Sequence, residues 1–425
     1  MASGRGCIGA SETHLAHAGE PARRRLRVVV VPFVTFGPSA WDGLAFSLAQ
    51  EIAAALARFR WFDVIASHTF EPQARAFDLA LQDKGLDYAV DGTLTAVNRR
   101  LQISVRLLHM SGCARPVWRE KLEASLDDLG RLDEIVTARV AARIDPMILF
   151  REASAPRKPL SATALTVRAM PMLYSMERPT FEEAGRILEE AVRREPDHAL
   201  AAAWAAYWQV YYVGQGWTQD VAGACKRAHE LSLRAIRLDP DDAETLAIYG
   251  HLCSYLNRDF DAALHYFDRA LRLNPNLGLA WALSAATFCY IGEPDTALAR
   301  LDHYRELAPF DPYFGFFETI YPNAHMLSGN YEQAIKVGRR TVRANPEFVN
   351  GYKALIASLG HLGRIDEATH YRALLAQCEP GFSIERFVKS YSFQQDAPRQ
   401  RYAEGLRLAG VPESERAPPQ TLARR

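Results

Sequence analysis

Three groups of residues have types and spacings that could do chemistry. Gly4, Gly6 and Gly9 spell a dinucleotide fingerprint, whose backbone N–H groups would meet a pyrophosphate. That chemistry works only between a strand and a helix N-terminus, and no strand precedes these glycines. His251 and Cys253 flank one another, and His265 lies one helix on. All three are metal-ligating types, but a metal needs three or four ligands converging on a point, so packing and surface roles are expected here. Trp204, Tyr207, Trp208, Tyr211 and Tyr212 form an aromatic stripe at helical spacings of three and four. Such a stripe either buries against neighbouring helices or walls a groove for a peptide, and both readings stay open. The sequence contains no GxxxxGK[ST] phosphate loop, no HExxH and no GxSxG. A binding protein without catalytic residues, cofactor or metal is the expectation that follows.

The elements that would position these residues are bounded by bulk composition. A chain of 425 residues with 48% hydrophobic residues has room for two or three domains with ordinary cores. Fifty basic and fifty acidic side chains give a net charge of zero, which lacks the electrostatic footprint of a nucleic-acid binder. Arg23 to Arg25 reads as a solvated edge before the first strand. The six cysteines are scattered, with no CxxC pair, which suits a reducing compartment. The first twenty residues hold no apolar signal segment, and the longest apolar run, Ala199 to Val213, is too short to span a bilayer. These features predict a cytoplasmic protein.

The second half carries an internal repeat. Proline recurs at Pro196, Pro240, Pro275, Pro309, Pro346 and Pro380, with spacings of 44, 35, 34, 37 and 34 residues. Twelve residues before each proline stands an alanine: Ala184, Ala228, Ala263, Ala297, Ala334 and Ala368. Five residues before stand Ala191, Ala235 and Ala270, then Tyr304, Thr341 and Leu375. Small residues are required where two helices cross closely, and proline ends a helix because it cannot continue the hydrogen-bond ladder.

This register, with Gly329-Asn-Tyr-Glu-Gln-Ala334 at an inter-helix turn and aromatics at Trp281 and Tyr352, resembles the tetratricopeptide-repeat family. The segment from Asp197 to Pro240 is about ten residues too long, with a loop near Gly214 to Thr218, and the next unit carries about one extra residue. The resemblance implies stacked helical hairpins with a concave groove lined by first helices. It places Thr319, Asn323, Lys353 and His361 at inward-pointing positions, beside Trp204, Trp208 and Tyr211 of the stripe. Asn323 and Lys353 would grip a peptide backbone or carboxylate, although the family's carboxylate clamp is incomplete here.

The first half reads β-α-β-α-β-β-β-α. Strands are expected over 26–33, 62–66, 88–97, 101–110 and 116–122, and helices over 40–59, 74–81 and 125–148, with a hairpin turn at Asn98 to Arg100. That order, with Asp42-Gly43 opening the first helix and Tyr88-Ala-Val-Asp-Gly92, resembles the TolB-like amino-terminal domain. Joined to the repeats and to the phrase Leu406-Arg-Leu-Ala-Gly-Val-Pro-Glu413, it is similar to the carboxy-terminal part of bacterial class III adenylate cyclases and winged-helix regulators. The cyclase or winged-helix effector of those relatives has no counterpart in this sequence.

The expected architecture is an α+β two-domain chain, a mixed-sheet α/β domain followed by an all-α tetratricopeptide superhelix. Its expected parts are a disordered tail over 1–24, the TolB-like domain over 25–150, a linker over 151–160, repeats over 161–382, capping helices over 383–411 and a tail over 412–425. The expected function is that of a non-catalytic regulatory or scaffold protein holding a protein or peptide partner in the groove. The alternative is the sensory half of a cyclase or of a winged-helix regulator.

Overall fold

A computed structural model of the chain describes residues 25–38, 40–65, 85–97, 100–110, 114–125, 129–156 and 161–414. The glycine motif, Arg23 and Arg24, the expected helix over 74–81, the turn at 98–99 and the helix opening at 126–128 lie outside the described residues. So do 157–160 of the expected linker and the tail beyond 414.

The first half is one mixed sheet. Its strands are β1 (Leu26–Val30), β2 (Val34–Phe36), β3 (Phe62–Ile65), β4 (Tyr88–Val97), β5 (Arg100–His109) and β6 (Arg115–Ser125). The path runs β3-β1-β4-β5-β6, with β2 beside β4. β1 pairs parallel to β3 and β4, whereas β4, β5 and β6 form an antiparallel meander. Val28 to Val31 is β-branched and buried on both faces, as a central parallel strand must be. The run expected to continue to Phe33 stops earlier. Pro32 has no N–H to give to the ladder, and the chain re-enters the sheet as β2, pairing Val34 with Thr93.

Two helices, α1 (Ala40–Leu56) and α2 (Leu129–Ala153), lie together over the sheet. Leu48, Ile52 and Leu56 meet Val28, Val90, Ile103, Val140 and Ile144 in the core beneath them. The meander is longer than the pattern suggested, since β6 runs to Ser125 and α2 begins four residues later. The Tyr88 hydroxyl donates to Glu152 Oε1 at 2.6 Å and ties β4 to the end of α2.

The second half is six helical hairpins. They are α3 (Ala162–Tyr174) with α4 (Arg178–Arg194), α5 (Ala199–Gly214) with α6 (Val221–Leu238), and α7 (Ala243–Leu252) with α8 (Phe260–Leu273). Then come α9 (Gly278–Ile291) with α10 (Pro294–Leu307), α11 and α12 (Phe314–Phe317, Ile320–Leu327) with α13 (Tyr331–Ala344), and α14 (Asn350–His361) with α15 (Ile365–Cys378). Two closing helices follow, α16 (Ile384–Ser390) and α17 (Asp396–Leu408).

The turn chemistry explains the proline register. In each hairpin the residue before the proline donates its N–H to the carbonyl five residues before the proline. These bonds run Glu195 to Ala191, Asp239 to Ala235, Asn274 to Ala270, Ala308 to Tyr304, Asn345 to Thr341 and Glu379 to Leu375, at 2.8–3.1 Å. The next residue is proline, which cannot donate, so the ladder ends there. All six alanines at the twelve-back position are 0% exposed, where a methyl is as much as the helix crossings admit.

Both irregular units are absorbed locally. The long unit extends α5 to sixteen residues and then folds Trp217 onto Phe181, with ring centroids 5.0 Å apart. The extra residue after α7 is taken up by a π turn, Cys253–Asn257, that ends with Arg258 in the left-handed region at φ 56°. Asp259 N then bonds to Cys253 O at 2.9 Å.

Enlarging a crossing alanine should loosen the stack. Ala263→Leu and Ala334→Leu should each cost about 1–3 kcal/mol in chemical denaturation of the full chain, while the solvent-facing Lys226→Leu should change little. Equal midpoints for all three variants would contradict close packing at the alanines.

Candidate functional site: the concave face and the segment seated in it

The first helices of the hairpins turn their apolar faces inward, and residues 383–411 lie against that concave surface. α17 packs along α14 so closely that a Cβ at Gly360 would collide with the Gly405 carbonyl. The Tyr402 ring is fully buried, and its hydroxyl donates to Asn323 Oδ1 at 2.9 Å. The stretch between α16 and α17 reaches two hairpins further back. Gln394 N donates to Tyr290 O at 2.9 Å, and Ser392 Oγ donates to Tyr255 O at 2.6 Å. The Arg258 guanidinium donates to Lys389 O at 2.6 Å and reaches Tyr391 O at 3.4 Å. Tyr391 stands edge-on to Tyr290, centroids 5.2 Å apart, and Phe387, Phe393 and Tyr402 cluster beside it.

The seat and the one-residue insertion coincide. Tyr255 belongs to the π turn, and the residue held left-handed behind it is Arg258. The turn therefore presents a carbonyl and a guanidinium toward the same stretch of chain, the carbonyl taken by the Ser392 hydroxyl and the guanidinium by the Lys389 carbonyl.

The residues singled out in the sequence divide over this surface. Tyr211, Thr319, Asn323 and Lys353 line one cavity of about 70 Å³, closed on one side by Tyr391 and Tyr402. Thr319 Oγ1 donates to Phe316 O at 2.7 Å, and Asn323 Nδ2 donates to Thr319 O at 3.2 Å. Lys353 Nζ sits 3.0 Å from Glu379 Oε2, with both side chains about one-tenth exposed, and lies over the Phe382 and Phe387 rings. His361 stands at the end of α14, where Nε2–H donates to Arg401 O at 2.9 Å and the ring stacks on Tyr331.

Two stripe residues go elsewhere. Trp204 is 2% exposed and donates to Glu244 Oε1 at 2.7 Å, at the edge facing the α/β domain. Trp208 stacks between Phe181 and Tyr212 and donates to Phe181 O at 2.8 Å, beneath Gly185, where a Cβ would strike the indole. The stripe is thus split between helix packing and the concave cavity.

His251, expected to serve in packing or at the surface, lines the same cavity. It is 4% exposed and lies between the rings of Tyr211 and Tyr255, and its Nδ1 has no partner among the described residues. Burial holds its pKa down to about 3, so the imidazole is uncharged at neutral pH. Cys253 beside it is buried, and burial pushes its thiol up to about 11. His265 faces away, against Tyr266. Among the described residues no group of three or more His, Cys, Asp or Glu side chains is placed to hold a metal, and no helix is long and apolar enough to cross a membrane.

Sequence reasoning missed Tyr255, Arg258, Tyr290 and Tyr391 as parts of this site. The aromatic spacing of Phe387, Tyr391, Phe393 and Tyr402 was a visible signal, but it is also what a plain capping helix shows.

No family profile matches the chain. A stretch of 101 residues is 31% identical to small glutamine-rich tetratricopeptide repeat-containing protein 2 of Mycosarcoma maydis, covering 24% of this chain and 28% of that protein. The chain therefore matches little more than a quarter of that relative's length. Solved structures similar to it include PilW, a type IV pilus biogenesis factor, at 16% identity over 48% of this chain and 86% of that one, TM-score 0.35. YrrB, a TPR protein with an unusual peptide-binding site, aligns at 14% identity over 45% and 92%, TM-score 0.29. A human IFIT1 dimer with m7Gppp-AAAA aligns at 14% identity over 68% and 70%, TM-score 0.44. By its hairpins and their register, the helical half is a superhelix of the tetratricopeptide type.

The Lys353–Glu379 pair gives a direct check on the packing of the seat. Lys353→Met alone leaves a buried carboxylate without its cation and should cost about 3–5 kcal/mol, whereas Lys353→Met with Glu379→Leu should fall close to wild type. Additive losses in a double-mutant cycle, read by urea denaturation, would contradict a closely coupled buried pair.

Proposed function

We propose that the chain is a non-catalytic regulatory or scaffold protein that holds a protein or peptide partner on the concave face of its superhelix. One observation carries the reading: that face already holds a peptide segment. Residues 387–402 sit on it through aromatic rings in apolar pockets, through main-chain groups held by Arg258 and the Tyr290 carbonyl, and through the Ser392 hydroxyl held by the Tyr255 carbonyl. Aromatic anchors plus main-chain hydrogen bonds are how helical and extended segments are recognised in grooves. A partner segment of the same chemistry, aromatic on one face and offering free carbonyls, would take the stretch around Tyr391 and Ser392 in exchange. Thr319, Asn323, Lys353, His361 and Tyr211 would then contact it, and Trp204 and Trp208 would support the helix behind. The partner is a protein and not a nucleic acid, and the chain works in the cytoplasm.

The order of strands and helices in the first half supports a second reading, the sensory part of a longer regulator of the cyclase or winged-helix kind. The reading frame upstream of Met1 distinguishes the two, since an in-frame effector domain favours the second.

The test uses the full chain as bait in its native lysate. A synthetic peptide of residues 383–411 should compete captured proteins off, and a Tyr391→Ala/Ser392→Ala variant, which weakens the seated segment and leaves the groove intact, should retain several-fold more of them. Capture indifferent to both the peptide and the variant would overturn groove binding. Cyclic-nucleotide formation by the purified chain would overturn the non-catalytic assignment.

A further inference from the structure

The α/β domain meets the superhelix along the edge where the proline turns lie. α2 packs against α3 and α10, Arg60 pairs with Asp239 at 2.7 Å, and Arg143 Nε donates to Leu307 O at 3.3 Å. At the centre of this junction is a cavity of about 60 Å³. Three carboxyl groups enter it from three separate elements: Asp145 from α2, Glu244 from the first turn of α7, and Asp311 from the turn after Pro309. Each receives one side-chain donor. Trp61 Nε1 bonds Asp145 at 2.7 Å, Trp204 Nε1 bonds Glu244 at 2.7 Å, and the Tyr304 hydroxyl bonds Asp311 at 2.6 Å.

Among the described residues, no lysine, arginine or histidine lines the cavity. The charged groups nearby do not neutralise it. On α2, Arg143 is committed to Glu120 and the Leu307 carbonyl; before β3, Arg60 is committed to Asp239. At the start of α7, Asp242 adds a further carboxyl, bonded to Thr245 N at 3.1 Å and Thr245 Oγ1 at 2.5 Å. α3 contributes the Tyr174 ring, α10 contributes Tyr304, and the following turn contributes Tyr313, whose buried hydroxyl has no partner among the described residues. Ahead of α5, burial lowers the pKa of His198, whose ring is bonded to Thr163.

Like charges gathered in a partly buried cavity, without a cation among the described residues that line it, cannot all ionise at ordinary cost. Burial, with Asp311 nearby, raises Asp145 to about 7. Burial, with Asp242 and Asp145, holds Glu244 well above the usual carboxylate range, and burial raises Asp311 as well.

We propose that this junction is a pH-operated latch between the α/β domain and the superhelix, closed while Asp145, Glu244 and Asp311 hold their protons and loosened as they ionise. The sign follows from linkage. A carboxyl whose docked pKa is raised stabilises docking fully below the ordinary carboxylate range, and that contribution is lost as pH rises through the docked value. For Asp145 the window runs from about pH 4 to about pH 7. Acid therefore closes the latch, and mildly alkaline conditions free the α/β domain to move relative to the groove.

Hydrogen–deuterium exchange of the full chain, corrected for intrinsic exchange, tests this. Protection of residues 142–149 and 243–247 should fall as pH rises from about 5 to about 7, with Asp145 alone contributing up to about tenfold per pH unit and Glu244 and Asp311 adding to it. Asp145→Asn keeps an acceptor for Trp61 without titrating, and its fall should be clearly shallower. Wild-type protection that does not change with pH, or an Asp145→Asn profile matching wild type, overturns the latch. Should Asp145→Asn fail to fold, difference infrared spectroscopy of the wild type decides. A protonated-carboxyl band disappearing near pH 7 supports the proposal, and carboxyls all ionised at pH 5.5 overturn it.

Discussion

A helical hairpin with one apolar face cannot be stable alone, and everything in the second half of this chain follows from that constraint. The face must be covered by the next hairpin, and covering it closely requires methyl groups where the helices cross. The alanines twelve residues before each proline meet that need, each of them fully buried. Proline then sets the phase, because the ladder ends on the residue before it in every hairpin. The concave surface, the seat for the C-terminal segment and the edge that receives the α/β domain are by-products of this spacing.

The irregularities in the spacing are where the chain does something particular. One extra residue after α7 would shift the following helix out of phase. The π turn at 253–257 restores the phase and in doing so turns Tyr255 O and Arg258 toward the groove. The same departure that blurs the repeat in the sequence builds the grip on residues 389–392. At the opposite edge, the proline turns bring Asp239, Asp242 and Asp311 to the surface that the α/β domain covers. Turn chemistry favours aspartate there, and docking then buries some of it.

How much was legible follows from which chemistry fixes residue type. The repeat was readable because close crossings demand alanine and turns demand proline, so the letters themselves carry the geometry. The order of the sheet was readable from β-branched runs, except where Pro32 split one run into β1 and β2. The seat was not readable, because its acceptors are main-chain carbonyls at Tyr255 and Tyr290, which any residue could supply. Thr319, Asn323 and Lys353 could be placed on the inner surface from register alone. That the neighbours of Asn323 and His361 would include α17 of the same chain could not, since an amphipathic closing helix has the same pattern whether it caps an end or fills a groove. The junction carboxyls were equally hidden, because Asp145 and Glu244 look like ordinary solvated positions until the two domains meet.

The account depends on residues 387–402 lying in the concave face of the full chain in solution. Nuclear Overhauser contacts between the Tyr391 and Tyr290 rings, whose centroids are 5.2 Å apart, measure this directly. The account predicts strong cross-peaks between these rings, and between Tyr402 and the side-chain amide of Asn323. Sharp, averaged resonances for Tyr391 and Tyr402 with no contacts to α9 or α12 would contradict it.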